Sequence, residues 1–238
     1  MSTFETLLAS GLAELGLAKD PAAVSLMQRY YTFLTERNDV INLTAVTGEE
    51  EAARLHFLDS LALLQVCDFE GKSVVDVGSG AGFPGLPLKL LRPSIALTLL
   101  DAQKKRVDFL RELCCELGQA VLCVHARAEE AGAAGENLRE AFDYAVSRAV
   151  AELKTLCELC LPLVVPGGAF IAMKSVNSDG ELDAAGNAID ILGGEIEAVT
   201  DYEIPGTAIV HRAVVIRKVS ATPEKYPRRF AKIQKNPL

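Results

Sequence analysis

Apolar residues recur at three- and four-residue steps through the start of the chain, at Phe4, Leu7, Leu8, Leu12 and Leu15, with Gly16 as a stop. This predicts a helix. A second helix opens at Asp20-Pro21, a capping carboxylate followed by a proline at the first helical position, and carries Val24, Met27, Tyr31 and Leu34. A third spans about 49–67, headed by Thr47-Gly48-Glu49-Glu50, where a threonine cap meets a glutamate three residues on. From Lys72 the period changes. Residues 74–77 predict a short buried strand, 84–91 a helix, 95–100 a strand, 104–117 a helix and 121–124 a strand. Residues 142–146 predict a fourth strand, 153–161 a helix, 169–173 a strand and 183–192 a last helix. Two consecutive strands near 195–202 and 209–217 suggest a closing hairpin.

Alternating strand and helix implies an α/β fold with a mostly parallel sheet covered on both faces. The expected organisation is a helical cap over 1–68, an α/β domain over 69–219 and a basic C-terminal arm over 220–238. The most apolar stretch, 159–173, is interrupted by Pro162, Pro166, Gly167 and Gly168, which argues against a membrane span.

In such a sheet a ligand sits beyond the carboxyl ends of the strands, and a glycine-rich turn lets the backbone approach it. Gly78-Ser79-Gly80-Ala81-Gly82 follows the first strand. One frame of it, Gly80, Gly82 and Gly85, also spells the dinucleotide fingerprint. Two residues favour S-adenosylmethionine. Asp76, two positions before Gly78, attracts a sulfonium and an ammonium but repels a pyrophosphate. Pro84 stands where a helix would have to start against that pyrophosphate. Asp101, ending the second strand, suits ribose hydroxyls under either reading. Taken singly, Asp76 is equally a turn or helix-capping carboxylate and Asp101 a helix cap.

Composition adds little to the fold but bears on partners. Half the chain is hydrophobic, so a sizeable core is available. The six cysteines lie in apolar periodic segments, the setting of reduced thiols in a cytoplasmic protein. Cys157 and Cys160 have CxxC spacing, but on a helix and without a second ligand pair, so they read as core and no metal is expected. The net charge of −8 disfavours nucleic acid, yet it is uneven. Residues 218–238 carry Lys218, Lys225, Arg228, Arg229, Lys232 and Lys235 against Glu224 alone. Such an arm is either phosphate-contacting or merely solvated.

Several segments together resemble the bacterial 16S ribosomal RNA guanine-N7 methyltransferases of the RsmG (GidB) type. They are Asn42-Leu43-Thr44-Ala45, His56-Phe57-Leu58-Asp59-Ser60, 76–87, Lys104-Lys105-Arg106-Val107-Asp108-Phe109-Leu110, Arg127-Ala128-Glu129, Ser147-Arg148-Ala149-Val150, 162–174, Tyr226-Pro227-Arg228 and Lys235-Asn236-Pro237-Leu238. The resemblance implies a Rossmann-like class I S-adenosylmethionine-dependent methyltransferase fold with an N-terminal helical cap. It implies a cofactor site at Gly78 and Phe83, joined by Asp76, Gly80, Gly82 and Asp101, with Ala128 and Glu129 near the adenine and Arg148 at the methionine or substrate end. The implied substrate is one guanine of 16S ribosomal RNA, within the small subunit or its precursor, and nothing demands more than a monomer.

Guanine N7 carries a lone pair at neutral pH, so methyl transfer needs orientation rather than a general base. No catalytic base is nominated. Arg148 and Lys174 are candidates to contact guanine or phosphate, with Asn42, His56 and Asp59 lining the groove from the cap. His56 and Asp59 could instead pair with each other, and Asn42 could cap a turn. Lys104, Lys105, Arg106, Arg228 and Arg229 are candidates for RNA backbone contacts; Lys104 could instead sit beside Asp101.

Overall fold

The computed structural model describes residues 2–238, the side chains of Asp39 and Val40 apart. One seven-stranded sheet has the order β3-β2-β1-β4-β5-β7-β6. Its strands are β1 (Ser73–Val77), β2 (Ala96–Asp101), β3 (Leu122–His125), β4 (Phe142–Arg148), β5 (Val164–Ser175), β6 (Gly194–Glu203) and β7 (Val210–Lys218). Neighbours pair in parallel from β3 to β5, while β7 runs antiparallel to both β5 and β6. The expected hairpin is therefore present, with its second strand inserted beside β5. Strand order reverses between β1 and β4, which places a ligand crevice at their carboxyl ends.

The cap contains α1 (Thr3–Glu14) and α2 (Pro21–Ile41). A composite helix over 49–65 follows: α3 (Glu49–Ala52), a π turn (Ala53–Leu58), α4 (Asp59–Leu61) and a 3-10 turn (Ala62–Gln65). Asp20 caps α2 as its sequence predicts, accepting the Ala22 N–H at 2.9 Å. The threonine cap expected for the third helix does not form. The helix starts one residue later, with Gly48, which has no side chain to offer, as the cap residue. The Glu50 carboxylate expected to close the box pairs with Arg54 instead, and Glu49 reaches α1, accepting the otherwise orphaned Phe4 N–H at 2.9 Å.

The domain helices are α5 (Gly85–Leu91), α6 (Lys104–Glu116), α7 (Ala128–Ala131), α8 (Leu153–Cys160) and α9 (Asp179–Ile191). On one sheet face the cap shares a core with the domain: Phe4, Leu8, Met27, Tyr30 and Phe57 are buried in one cluster with Leu86, Leu97 and Leu99. On the other face α8 and α9 bury Leu153, Leu156, Cys157, Cys160 and Ile189. Burial pushes both CxxC thiols up, so they behave as core residues.

The C-terminal arm packs against this second layer. It contains a short helix absent from the sequence reading, α10 (Phe230–Lys235), and it buries Tyr226 and Ile233. Arg139 donates to the carbonyls of Gly132, Thr222 and Tyr226 at 2.7, 2.6 and 2.8 Å. These bonds satisfy carbonyls of the arm and of the loop beneath it.

Candidate active site

The turn after β1 needs its glycines for different reasons. Gly78, Gly80 and Gly82 have φ of 74°, 58° and 107°, which other residues rarely adopt. Gly78 and Ser79 donate their N–H groups to Leu100 O at 2.8 and 3.2 Å. Asp101 locks the next step: one carboxylate oxygen accepts from Gly80 N at 3.0 Å and the other from Gln103 N at 2.8 Å. Gly78, Ser79, Gly80 and Ala81 line a cleft of about 390 Å³ together with Asp101, Arg106, Phe83, His56 and Arg148. A Cβ on Gly80 would meet nothing nearer than Gly78 O at 3.9 Å, so the backbone there is open to a ligand.

Gly82 and Gly85 do not face that cleft. A Cβ on Gly82 would lie 2.5 Å from the Tyr30 hydroxyl, and one on Gly85 2.9 Å from the Asp76 carboxylate. Asp76 is wholly buried behind the turn, where one oxygen accepts the Gly85 N–H at 2.8 Å and the other has no partner. Burial lifts this carboxyl to about 7, against the lowering effect of the Gly85 bond and the Arg148 charge. The aspartate expected to touch the ligand thus caps α5, as its alternative reading had it. The same contact separates the two cofactors. The first amide of α5, which a pyrophosphate would need, is already taken by a carboxylate. Asp101 lines the cleft and Asp76 lies behind its turn, a pair of carboxyls that suits a cationic ligand better than a pyrophosphate, so the residues present fit S-adenosylmethionine.

Replacing Gly82 with alanine forces a side chain onto a φ of 107° and into the buried Tyr30 hydroxyl, which donates to Ala81 O at 2.6 Å. Backbone strain of this kind costs about 2 kcal/mol. A Gly82→Ala variant is expected to bind S-adenosylhomocysteine at least about tenfold more weakly, read by calorimetry, and to melt at lower temperature.

Arg148, at the end of β4, is held from several sides. Its Nη1 donates to Leu55 O and to an Asp59 carboxylate oxygen, each at 2.9 Å. Its Nη2 lies 3.3 Å from His56 Nδ1, and the guanidinium carbon sits 5.2 Å from the centroid of Phe83. Leu55 and His56 belong to the π turn and Asp59 follows directly; such turns concentrate at functional sites. Because Arg148 can only donate, His56 Nδ1 must accept, and Nε2 then donates to Thr44 Oγ1 at 2.8 Å. Burial and the Arg148 charge lower the His56 pKa to about 4, so the ring is neutral. His56 stacks on Phe83 with centroids 4.7 Å apart.

His56 and Asp59 therefore do not pair with each other; both converge on Arg148. Asp59 is buried and also accepts from the Tyr202 hydroxyl and His211 Nδ1, both at 2.9 Å. Burial raises its pKa, but the bond from His211 and the Arg148 charge outweigh it and hold the carboxyl below its usual value. Tyr202 and His211 face each other across the β6–β7 register. Neither has a sequence signal, since nothing local marks a tyrosine and a histidine on a hairpin as partners of residue 59.

The remaining candidates disperse. Lys174 is turned away from the cleft: Nζ donates to Ala151 O at 3.0 Å and pairs with Glu181 at 2.6 Å, so it secures the loop after β4 to α9. Asn42 is the left-handed C-cap of α2, its turn-capping alternative. The groove-side polar work falls to Asn38, which accepts from Leu43 N and Thr44 N and donates to Thr44 O. Lys104 pairs with Asp108 rather than Asp101; Arg106 is the cation 3.7 Å from Asp101. Lys105 is exposed and reaches Ile41 O at 3.2 Å. Ala128 opens α7, while Glu129, paired with Arg127, borders a separate cavity of about 580 Å³ closed by Arg228, Arg229 and Phe230. Arg228 is consumed internally by Glu158, whereas Arg229 is exposed.

A family model described as rRNA small subunit methyltransferase G matches residues 23–210. The ribosomal RNA small subunit methyltransferase G of Pelotomaculum thermopropionicum is 44% identical over 240 residues, covering 100% of each chain. That of Alkaliphilus metalliredigens is 45% identical over 234 residues, covering 98% of each. Among solved structures, a methyltransferase from Pyrococcus furiosus has a TM-score of 0.54 at 12% identity, over 80% of this chain and 97% of its own. A SAM-dependent methyltransferase from Aquifex aeolicus has a TM-score of 0.52 at 17% identity, over 70% and 92%. These structural likenesses speak to the fold alone.

Proposed function

The chain belongs to the rRNA small subunit methyltransferase G family, and from that premise we infer that it transfers a methyl group from S-adenosylmethionine to N7 of a guanine in 16S ribosomal RNA. The observation that carries the cofactor is the cleft at the carboxyl ends of β1, β2 and β4, beside a helix whose first amide is already taken by Asp76. Gly78, Gly80, Phe83 and Asp101 would hold the cofactor there; Ala128 and Glu129, on α7 beyond β3, lie outside the lining of that cleft, which does not carry the adenine role the resemblance implies for them. When bound, S-adenosylmethionine supplies a methyl group on a sulfonium, ready for attack by a lone pair.

Guanine N7 needs no proton removed, so the residues work by orientation. His56 is neutral with both ring nitrogens engaged, which suits a wall of the pocket rather than a base. Arg148, steadied over Phe83, presents its remaining N–H groups to the cleft. Lys105 and Arg229, both exposed, are the candidates to meet phosphates, while Arg106 borders the cofactor cleft beside Asp101. The substrate particle is the small subunit or its precursor.

The deciding experiment uses small subunits from a strain lacking the family enzyme. Labelled S-adenosylmethionine is expected to transfer its methyl group to one guanine, mapped by mass spectrometry, and calorimetry is expected to detect S-adenosylhomocysteine but no dinucleotide. Cofactor binding without transfer to any ribosomal RNA would sink the reading.

A further inference from the structure

We propose that Tyr202 and His211 are positioning residues for the transfer reaction, acting through Asp59 to fix the Arg148 guanidinium in the cleft. The inference rests on the reading of the cleft as the methyl-transfer site. Its geometry is a relay across the fold. Asp59 divides its oxygens: one accepts from Arg148 Nη1 at 2.9 Å, the other from Tyr202 and His211, each at 2.9 Å. A buried carboxylate with a donor at only one oxygen is free to swing about its Cβ–Cγ bond; with donors at both it is not. The β6–β7 hairpin supplies the donors at the second oxygen, since Tyr202 and His211 are register partners beside its turn.

What Asp59 fixes is then transmitted. Arg148 is clamped between Asp59, Leu55 O and His56 Nδ1 and lies over Phe83. Both His56 and Phe83 line the cleft. A tilt of the guanidinium therefore shifts two walls of the pocket, where misplacement of about 1 Å costs on the order of a hundredfold in rate. Tyr202 is buried and His211 has a third of its side chain exposed, so both lie beyond Asp59 rather than in the cleft. The charged and titratable groups facing His211 here are Asp59, Arg148 and Tyr202; the bond that His211 donates to Asp59 raises the His211 pKa.

Tyr202→Phe removes one donor at that oxygen and the double variant Tyr202→Phe/His211→Leu removes both, while the Arg148–Asp59 pair stays intact, so both are expected to fold. Two readouts follow. The chain has three histidines, which makes the ¹⁵N resonance of His56 Nδ1 assignable as a reporter of Arg148 donation. That resonance is expected to move in both variants, in the direction seen with Arg148→Lys. On small-subunit substrate, kcat is expected to fall about tenfold with KM changed less than about threefold, and the loss is expected to vanish when the same substitutions are made in an Arg148→Lys background. An unmoved His56 resonance would overturn the proposal. So would a kcat loss of equal size in the Arg148→Lys background, which marks a role independent of Arg148. If even the wild-type protein binds S-adenosylhomocysteine without methylating ribosomal RNA, the functional reading fails, and the His56 resonance decides the relay by itself.

Discussion

Arg148→Ala is expected to abolish measurable methyl transfer and to destabilise the fold by about 3–5 kcal/mol, the range for removing one partner of a buried ion pair. Asp59 is almost fully enclosed, so its charge would be left with only the neutral hydroxyl of Tyr202 and the His211 ring. The loss should fall on both sides of the fold, because the guanidinium joins the π turn of the cap to the end of β4. Denaturant melts report the stability term, and single-turnover transfer reports the chemical one. The pH dependence separates the ion pair from simple packing. The Asp59 carboxyl lies below its usual value in the fold. Its contribution is therefore present above the ordinary carboxylate pKa and is lost as pH falls through the folded one. Wild type should lose stability through this acid range more steeply than Arg148→Ala, in which the carboxyl keeps His211 but has lost the guanidinium charge. Equal slopes would show that the pair is not what stabilises this junction.

The elements that repeat a local rule were readable before the fold was known. Asp20-Pro21 caps a helix by chemistry confined to neighbouring residues, and the glycines after β1 announce a backbone that other residues resist. Asp101 was legible for the same reason, as a strand-end carboxylate. Asp76 was legible in position but misassigned in role: its task depends on how closely α5 approaches β1, which spacing does not reveal. The Asp59 relay was the least accessible, since residues 59, 148, 202 and 211 come from the cap and three strands and meet only through sheet order. The threonine cap failed because the helix begins one residue late, with Gly48 as its cap and Glu50 turned to Arg54 one turn on.

The basic arm shows how charge can mislead when counted without partners. Read as an arm for RNA, Arg228 and Arg229 looked equivalent. The sequence holds a hint that some cation is spent inside, since Glu158 sits among Leu156, Cys157, Leu159 and Cys160, an acid on an otherwise apolar helix; only the fold shows that Arg228 is the one. Lys218 is likewise spent indoors, donating to Leu161 O at 2.7 Å, with its pKa lowered by burial to about 8.

Arg228→Ala is accordingly expected to behave as a folding mutation and Arg229→Ala as a binding one. Glu158 is wholly buried; one oxygen accepts Arg228 Nε at 2.7 Å and its backbone N at 2.8 Å, and the other accepts Nη2 at 2.6 Å. Removing the guanidinium leaves that carboxylate with a single backbone donor, at a cost of about 3–5 kcal/mol. It also frees α10, because Arg228 Nη1 ties the end of the arm through Asn236 O at 3.1 Å. Limited proteolysis should then cut within 220–238, where wild type resists. A second change of Glu158 to Gln should recover part of the loss, since a neutral amide without its cation is far less costly than a charge. Arg229→Ala, on an exposed side chain, should shift stability by less than about 0.5 kcal/mol while weakening RNA binding and reducing its salt slope by about one. If instead Arg228→Ala leaves the melt unchanged and lowers RNA affinity, the clamp onto Glu158 is not formed in solution and the whole arm is an RNA-contacting segment.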